Sequence, residues 1–211
     1  GFIEDAKKEA IDNILEMAQL KQEGTIRAVV VTGCLAERYR EEVKKEIPEV
    51  DAVIGIGKNA DIAQVVTDAL AGTQTEAFPP KDRLCMNGER VLATPPFWAY
   101  LRIADGCDNR CSYCAIPMIR GRFRSRPMEE ILEEAKTLVK NGAKELILIA
   151  QDTTRYGEDL YGELRLPLLL RELCKIDGLS WLRLLYCYPD RITDELLSVM
   201  AQEEKVLPYL D

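Results

Sequence analysis

Apolar residues recur at helical spacing over residues 6–20, where Ala10, Ile11, Ile14, Leu15 and Ala18 share one stripe and charged residues take the other side, so the segment predicts an amphipathic helix. Residues 27–32 carry three consecutive valines and predict a short strand. Gly33-Cys34-Leu35 turns the chain into a second helix, which must stop before Pro48 because proline cannot extend the hydrogen-bond ladder. Residues 51–56 predict another strand, and residues 60–70 a third helix closed by Gly72. Helix, strand, helix, strand, helix is the grammar of a small α/β layer with a parallel sheet.

Over residues 73–96 the periodicity disappears while Pro79-Pro80, Asn87-Gly88 and Pro95-Pro96 accumulate, the mark of an interdomain connection. From Phe97 onward the pattern becomes strand then helix, repeated. Residues 100–104, 145–150 and 181–186 predict three strands, and a further strand begins near Val206. Between them lie a helix with Pro127 in its first turn and Glu129 and Glu130 near its positive end, a polar loop over 151–163, a Leu-rich helix ending at Asp177-Gly178, and a helix over 194–202. The class is therefore α/β. A small N-terminal domain with a parallel sheet spans 1–78, a linker 79–96, and a partial, TIM-like (β/α) barrel 97–211. Gly1 is not a Met and Asp211 falls in a predicted strand, so both ends read as cut and the barrel as truncated.

Composition narrows the chemistry. Hydrophobic residues at 47% and charged residues at 30% suit a globular protein, and no apolar run approaches the length of a membrane span. Residues 1–9 carry charges where a signal peptide would be apolar, so the reading is a cytoplasmic protein without a membrane. A formal charge of -8 argues against broad attraction to phosphate backbones and suits a basic partner. With no His in the chain, a Ser-His-Asp triad, a His-ligated zinc hydrolase and a His general base are excluded within these residues. The seven Cys, an odd number, fit thiolate chemistry in a reducing compartment better than a disulfide framework.

Three of those Cys stand at CxxxCxxC spacing, Cys107, Cys111 and Cys114, directly after the first barrel strand. Thiolates are the usual ligands of iron-sulfur clusters, and three from one loop leave one iron of a 4Fe-4S cluster open for a substrate. The loop after a barrel strand lies on the carboxyl-end face, where barrel enzymes keep their chemistry. The competing reading is a zinc site completed by Cys85 or Cys187, which would make the protein a zinc-stabilised binding module rather than an enzyme. Cys174 and Cys187 otherwise read as packing residues, and so does the Leu stripe at 164–173. Arg120, Arg122, Arg124 and Arg126 form a basic cluster beside the loop, suited either to solvent or to carboxylates of a cofactor or substrate.

The string GCDNRCSYCAIPMIRGRFRSRP, with Tyr113 before its last Cys, resembles the radical S-adenosylmethionine superfamily and, more narrowly, its methylthiotransferases. The segments IAQDTTRYG at 149–157 and LPYLD at 207–211 are similar to the branch of that family that modifies an aspartate of small-subunit ribosomal protein S twelve. The resemblance covers essentially the whole chain. It implies a radical SAM barrel in which Cys107, Cys111 and Cys114 hold a 4Fe-4S cluster, S-adenosylmethionine binds the open iron, and reductive cleavage yields a 5'-deoxyadenosyl radical. It implies a second cluster as well, bound in the N-terminal domain by three Cys.

Cys34, in its Gly-Cys-Leu-Ala-Glu-Arg-Tyr setting, matches the third of these. Taken alone, a Cys in a strand-to-helix turn is more often packing. The chain opens on Gly1-Phe2-Ile3, similar to the family's Cys-Gly-Phe-Ile, so the other two Cys are missing and only the cleavage half of the reaction is expected here. By the same resemblance Tyr113 contacts the adenine through its backbone, while Gln151 and Asp152 face the cofactor unless they serve only as loop caps. No catalytic side chain is assigned. The implied partners are ribosomal protein S twelve as substrate and an electron donor such as flavodoxin or ferredoxin; a sister activity on transfer RNA is the alternative.

Overall fold

The computed structural model describes residues 3–81 and 91–211. They form two compact units, one of residues 3–81 with 110–121, the other of residues 91–109 with 122–211. Half of the predicted linker at 79–96, with Asn87-Gly88 and Cys85, lies outside the described residues, as do Gly1 and Phe2.

In the first unit, α1 (Glu4–Gln22) extends beyond its apolar stripe at both ends. Ile14 and Ala18 are buried as predicted, whereas Leu15 is 49% exposed, so the buried face is narrower than the apolar one. The chain continues through β1 (Val30–Val31), α2 (Cys34–Glu46), β2 (Ala52–Ile54), a 3-10 turn at Ile56–Asp61, α3 (Ile62–Leu70) and β3 (Thr75–Ala77). These strands make a parallel sheet in the order β1-β2-β3. The central strand β2 is wholly buried and apolar, which suits a parallel sheet covered on both faces. β3 falls in the stretch read as aperiodic: Thr75-Glu76-Ala77 is short and polar because it is an edge strand, with one free side. Asp51 fastens the sheet to α1, since its carboxylate accepts from Lys21 Nζ at 2.7 Å and from the Val29 N–H at 2.7 Å.

In the second unit, β4 (Trp98–Arg102), β7 (Glu145–Ile149) and β8 (Trp181–Leu184) pair in parallel in the order β4-β7-β8. Alternate residues, Leu101, Leu146, Leu148, Leu182 and Leu184, are almost fully buried, the period of two that a half-covered strand requires. They share one core with Ile131 and Ala135 of α5 (Met128–Lys140), Leu169 and Leu173 of α7 (Leu166–Cys174), and Leu196 and Val199 of α8 (Asp194–Gln202). Thr193 caps α8, its hydroxyl accepting the Leu196 N–H at 3.2 Å. Leu182 also bridges Val206 in parallel, where the next strand was predicted to begin.

Further elements carry no periodic signal in the sequence. β5 (Ala104–Asp105) pairs antiparallel with β6 (Arg124–Ser125), and α6 (Glu158–Tyr161) sits inside the polar loop. α4 (Ile116–Arg120) belongs to the first unit. The molecule is a mixed α/β protein built on parallel sheets, and no helix among the described residues is long and apolar enough to cross a membrane.

Candidate functional site

The CxxxCxxC motif divides between the units: Cys107 lies in the second, Cys111 and Cys114 in the first. In the second unit β5 delivers the chain to Gly106, whose φ of +79° turns it sharply out of the strand. Residues 106–110 lie outside helix and strand, and side chains that follow the carboxyl end of β7 bind this segment. Gln151 Oε1 accepts the Gly106 N–H at 2.6 Å, and Asp152 Oδ2 accepts from Asn109 Nδ2 at 3.0 Å. Asp152 is 1% exposed, and its other oxygen accepts from the Thr154 hydroxyl at 2.7 Å. Asp108 Oδ1 accepts the Phe123 N–H at 3.3 Å, and the guanidinium groups of Arg122 and Arg155 lie 3.8 Å and 4.0 Å from its carboxylate. Cys107 is buried, and its sulfur accepts the Asn109 N–H at 3.5 Å.

In the first unit Arg110 takes a left-handed φ of +44°, and the Cys114 N–H donates to the Cys111 carbonyl at 2.9 Å, closing a tight turn. Both thiols are half-buried, and Tyr113 between them is 84% exposed. Cys34 opens α2 after Gly33, whose φ of +99° makes the turn from β1. Arg120, at the end of α4, places a guanidinium nitrogen 3.6 Å from the Cys34 sulfur. One helical turn after Cys34, the buried Glu37 accepts the Ile56 N–H at 3.0 Å and pairs with Lys81 at 3.4 Å. Lys81 also donates to the Met118 carbonyl of α4.

The structure thus brings Gln151 and Asp152 onto the segment that carries Cys107, and Arg120 onto Cys34. Asn109, Asp108 and Thr154 were not singled out by sequence reasoning. Asn109 is a motif residue whose partner lies 43 positions away, a separation that leaves no local mark.

The four neighbouring arginines do not act as one group. Arg126 is 2% exposed, pairs with Glu134 at 2.7 Å and donates to the Arg102 carbonyl, so it is part of the scaffold. Arg124 faces the buried Asp105 at 3.4 Å, while the Arg122 side chain is 91% exposed. Cys187 is buried against the Thr153 hydroxyl, and burial pushes its thiol up. Cys174 is pushed up to about 11, mainly by burial and then by the nearby Glu203 carboxylate. Both behave as packing thiols.

The donor set fits an iron-sulfur cluster. Three thiols occur within eight residues, each free of any disulfide, and a backbone N–H already points at one sulfur. Among the described residues no three Cys, Asp or Glu side chains are gathered as a site for a single metal ion.

Comparison with known proteins gives these features a relationship. The model of the uncharacterized protein family UPF0004 matches residues 1–55. Curated relatives named ribosomal protein uS12 methylthiotransferase RimO include those of Desulforamulus reducens, 54% identical, and Lachnoclostridium phytofermentans, 52% identical. Each alignment covers 100% of this chain and 48% of the relative, so the chain spans about half the length of the proteins it matches. The fold is shared with a radical S-adenosylmethionine methyltransferase, TsrM of Kitasatospora setae, solved with its tryptophan substrate and a SAM analogue. The TM-score is 0.56 at 14% identity, over 96% of this chain and 50% of that one. A second TsrM structure, with cobalamin and a [4Fe-4S] cluster, gives 0.55 at 15% identity. Since the radical SAM superfamily model matches residues 101–210, more than half of its length, the chain belongs to the radical SAM superfamily.

Proposed function

We propose that this chain is the cluster-bearing part of a methylthiotransferase that modifies the β-carbon of an aspartate in ribosomal protein uS12. The observation that carries the reading is the CxxxCxxC loop, fastened at Gly106 and Asn109, on either side of Cys107, to the residues that follow a parallel strand, in a chain that matches the uS12 methylthiotransferases along its whole length. Cys107, Cys111 and Cys114 would hold a 4Fe-4S cluster through three irons, and Cys34 would contribute to a second cluster in the domain predicted over 1–78. When bound, the first cluster supplies the electron for reductive cleavage of S-adenosylmethionine; the protein supplies orientation and the exclusion of side reactions.

The chain's own residues suit those tasks. The turn at Cys111 to Cys114 leaves Tyr113 open to the adenine. Gln151 and Asp152 keep the loop seated at the carboxyl end of β7, the end where barrel enzymes work. Arg120 sets a guanidinium group beside the Cys34 sulfur. The charge of -8 suits a basic ribosomal protein as partner in the cytoplasm, with an electron donor such as flavodoxin or ferredoxin.

The test is anaerobic incubation of the cluster-loaded protein with S-adenosylmethionine, a strong reductant and either uS12 or transfer RNA, followed by chromatography and mass spectrometry. The reading expects 5'-deoxyadenosine to form with the wild type and to be absent with Cys111→Ala. A cluster-loaded wild type that leaves S-adenosylmethionine intact contradicts it. Cleavage stimulated by transfer RNA and not by uS12 moves the substrate to RNA.

A further inference from the structure

We propose that Asp152 is a positioning residue that sets the hydrogen bond to the Cys107 sulfur through Asn109. The proposal rests on the reading of Cys107 as a cluster ligand and adds to it how the electronic character of that ligand is fixed. Asn109 is held through both its side chain and its backbone. Its side-chain amide donates to Asp152 Oδ2 at 3.0 Å, and its backbone N–H donates to Cys107 Sγ at 3.5 Å. Asn109 lies just before Arg110, in a segment without helix or strand to fix its peptide plane. The direction of the N–H on the sulfur therefore depends on what grips the Asn109 side chain.

Asp152 is suited to that grip and is itself held firmly. It is 1% exposed, so a carboxylate there requires hydrogen bonds to offset lost hydration. One oxygen takes the Thr154 hydroxyl at 2.7 Å, and Thr154 Oγ1 in turn accepts the Tyr188 N–H at 3.1 Å, tying the network to the segment after β8. Both carboxylate oxygens are thus engaged by protein groups, one of them by the loop residue that contacts the sulfur. Hydrogen bonds to cluster sulfurs raise the reduction potential, because the added electron is stabilised by the N–H dipole. Groups one step removed from a metal ligand typically change affinity or activity by about 10–100-fold when removed.

The test compares the wild type, Asn109→Ala, Asp152→Ala, their double variant and Asp152→Asn, each reconstituted anaerobically. The readouts are the reduction potential by spectroelectrochemical titration and the rate of cluster loss to a chelator. Asn109→Ala and Asp152→Ala should shift the potential in the same negative direction and speed cluster loss roughly tenfold. The double variant should go no further than either single change, because both break one link. Asp152→Asn keeps an oxygen for Asn109 and a polar group for Thr154, so it should restore most of the wild-type potential.

A potential unchanged by Asn109→Ala overturns the proposal. So does loss of the S-adenosylmethionine response in Asp152→Asn with a silent Asn109→Ala, which would assign Asp152 to the cofactor directly. If Asp152→Ala fails to fold, Asn109→Ala and Asp152→Asn still decide the matter. A wild type that takes up no cluster would instead overturn the assignment of Cys107 as a ligand, a result separable from the others because no variant is needed to see it.

Discussion

Cys34 and Cys107 are introduced in the same way and supported in opposite ways. Each follows a glycine in the left-handed region, Gly33 at φ +99° and Gly106 at +79°, so each thiol sits just beyond a sharp turn off a strand. Cys34 then enters α2, whose own hydrogen bonds fix the backbone, and one neighbour, Arg120, reaches its sulfur. Cys107 enters a segment with no regular structure, where Gln151 and Asp152 bind the loop and Asp108 ties it to Phe123, just before β6. Buried backbone groups have to find partners, and where helix or sheet does not provide them, polar side chains from distant elements must. A ligand on a helix can be placed locally; a ligand on a loop depends on the rest of the fold.

The comparison can be broken first at the return from the loop. Arg126, buried beside β6, pairs with Glu134 at 2.7 Å, so Glu134→Ala removes an anionic partner of a buried charge and should cost about 3–5 kcal/mol in urea unfolding. A cost under about 1 kcal/mol would mean that the polar fastening of this region is dispensable. The helical site is tested by Gly55→Ala. A Cβ there would meet Glu37 Oε2 at 2.5 Å and Phe78 Cδ1 at 2.8 Å, displacing the carboxylate that anchors α2 one turn after Cys34. The expected loss is about 1–3 kcal/mol, with Cys107 and its loop unaffected.

The smallest effect concerns a thiol of neither kind. Cys174 is raised from 9.0 to about 11, chiefly by burial, so the folded state holds its proton where the unfolded state has released it. Its contribution to stability is fully present below about pH 9 and is lost as pH rises toward 11. Cys174→Ala should flatten the alkaline fall of the thermal midpoint, and an unchanged slope would contradict this.

The hydrophobic pattern predicted most of this fold because most of it is periodic. The alternation of Leu146 and Leu148 placed β7, and the spacing of Leu166, Leu169, Leu170 and Leu173 placed α7 against the core. Short polar elements escaped, since Thr75-Glu76-Ala77 at a sheet edge and Arg124-Ser125 in a short ladder show no period, whereas the equally short β1 and β2 were legible as apolar runs. The cysteine motif was legible from spacing alone. Its supports were not, because Asn109 and Asp152 meet only after the chain has folded, and because spacing grouped four arginines that the fold separates into a scaffold residue, a paired one, an exposed one and one beside Cys34.

The central claim is that the CxxxCxxC loop of this chain holds a cluster that engages S-adenosylmethionine. It is tested most directly by anaerobic reconstitution with iron and sulfide, followed by electron paramagnetic resonance of the reduced protein with and without S-adenosylmethionine, for the wild type and Cys111→Ala. The account predicts a 4Fe-4S signal that changes on adding S-adenosylmethionine and is absent from the variant. A protein that binds zinc without sulfide, or a cluster signal indifferent to S-adenosylmethionine, would contradict it.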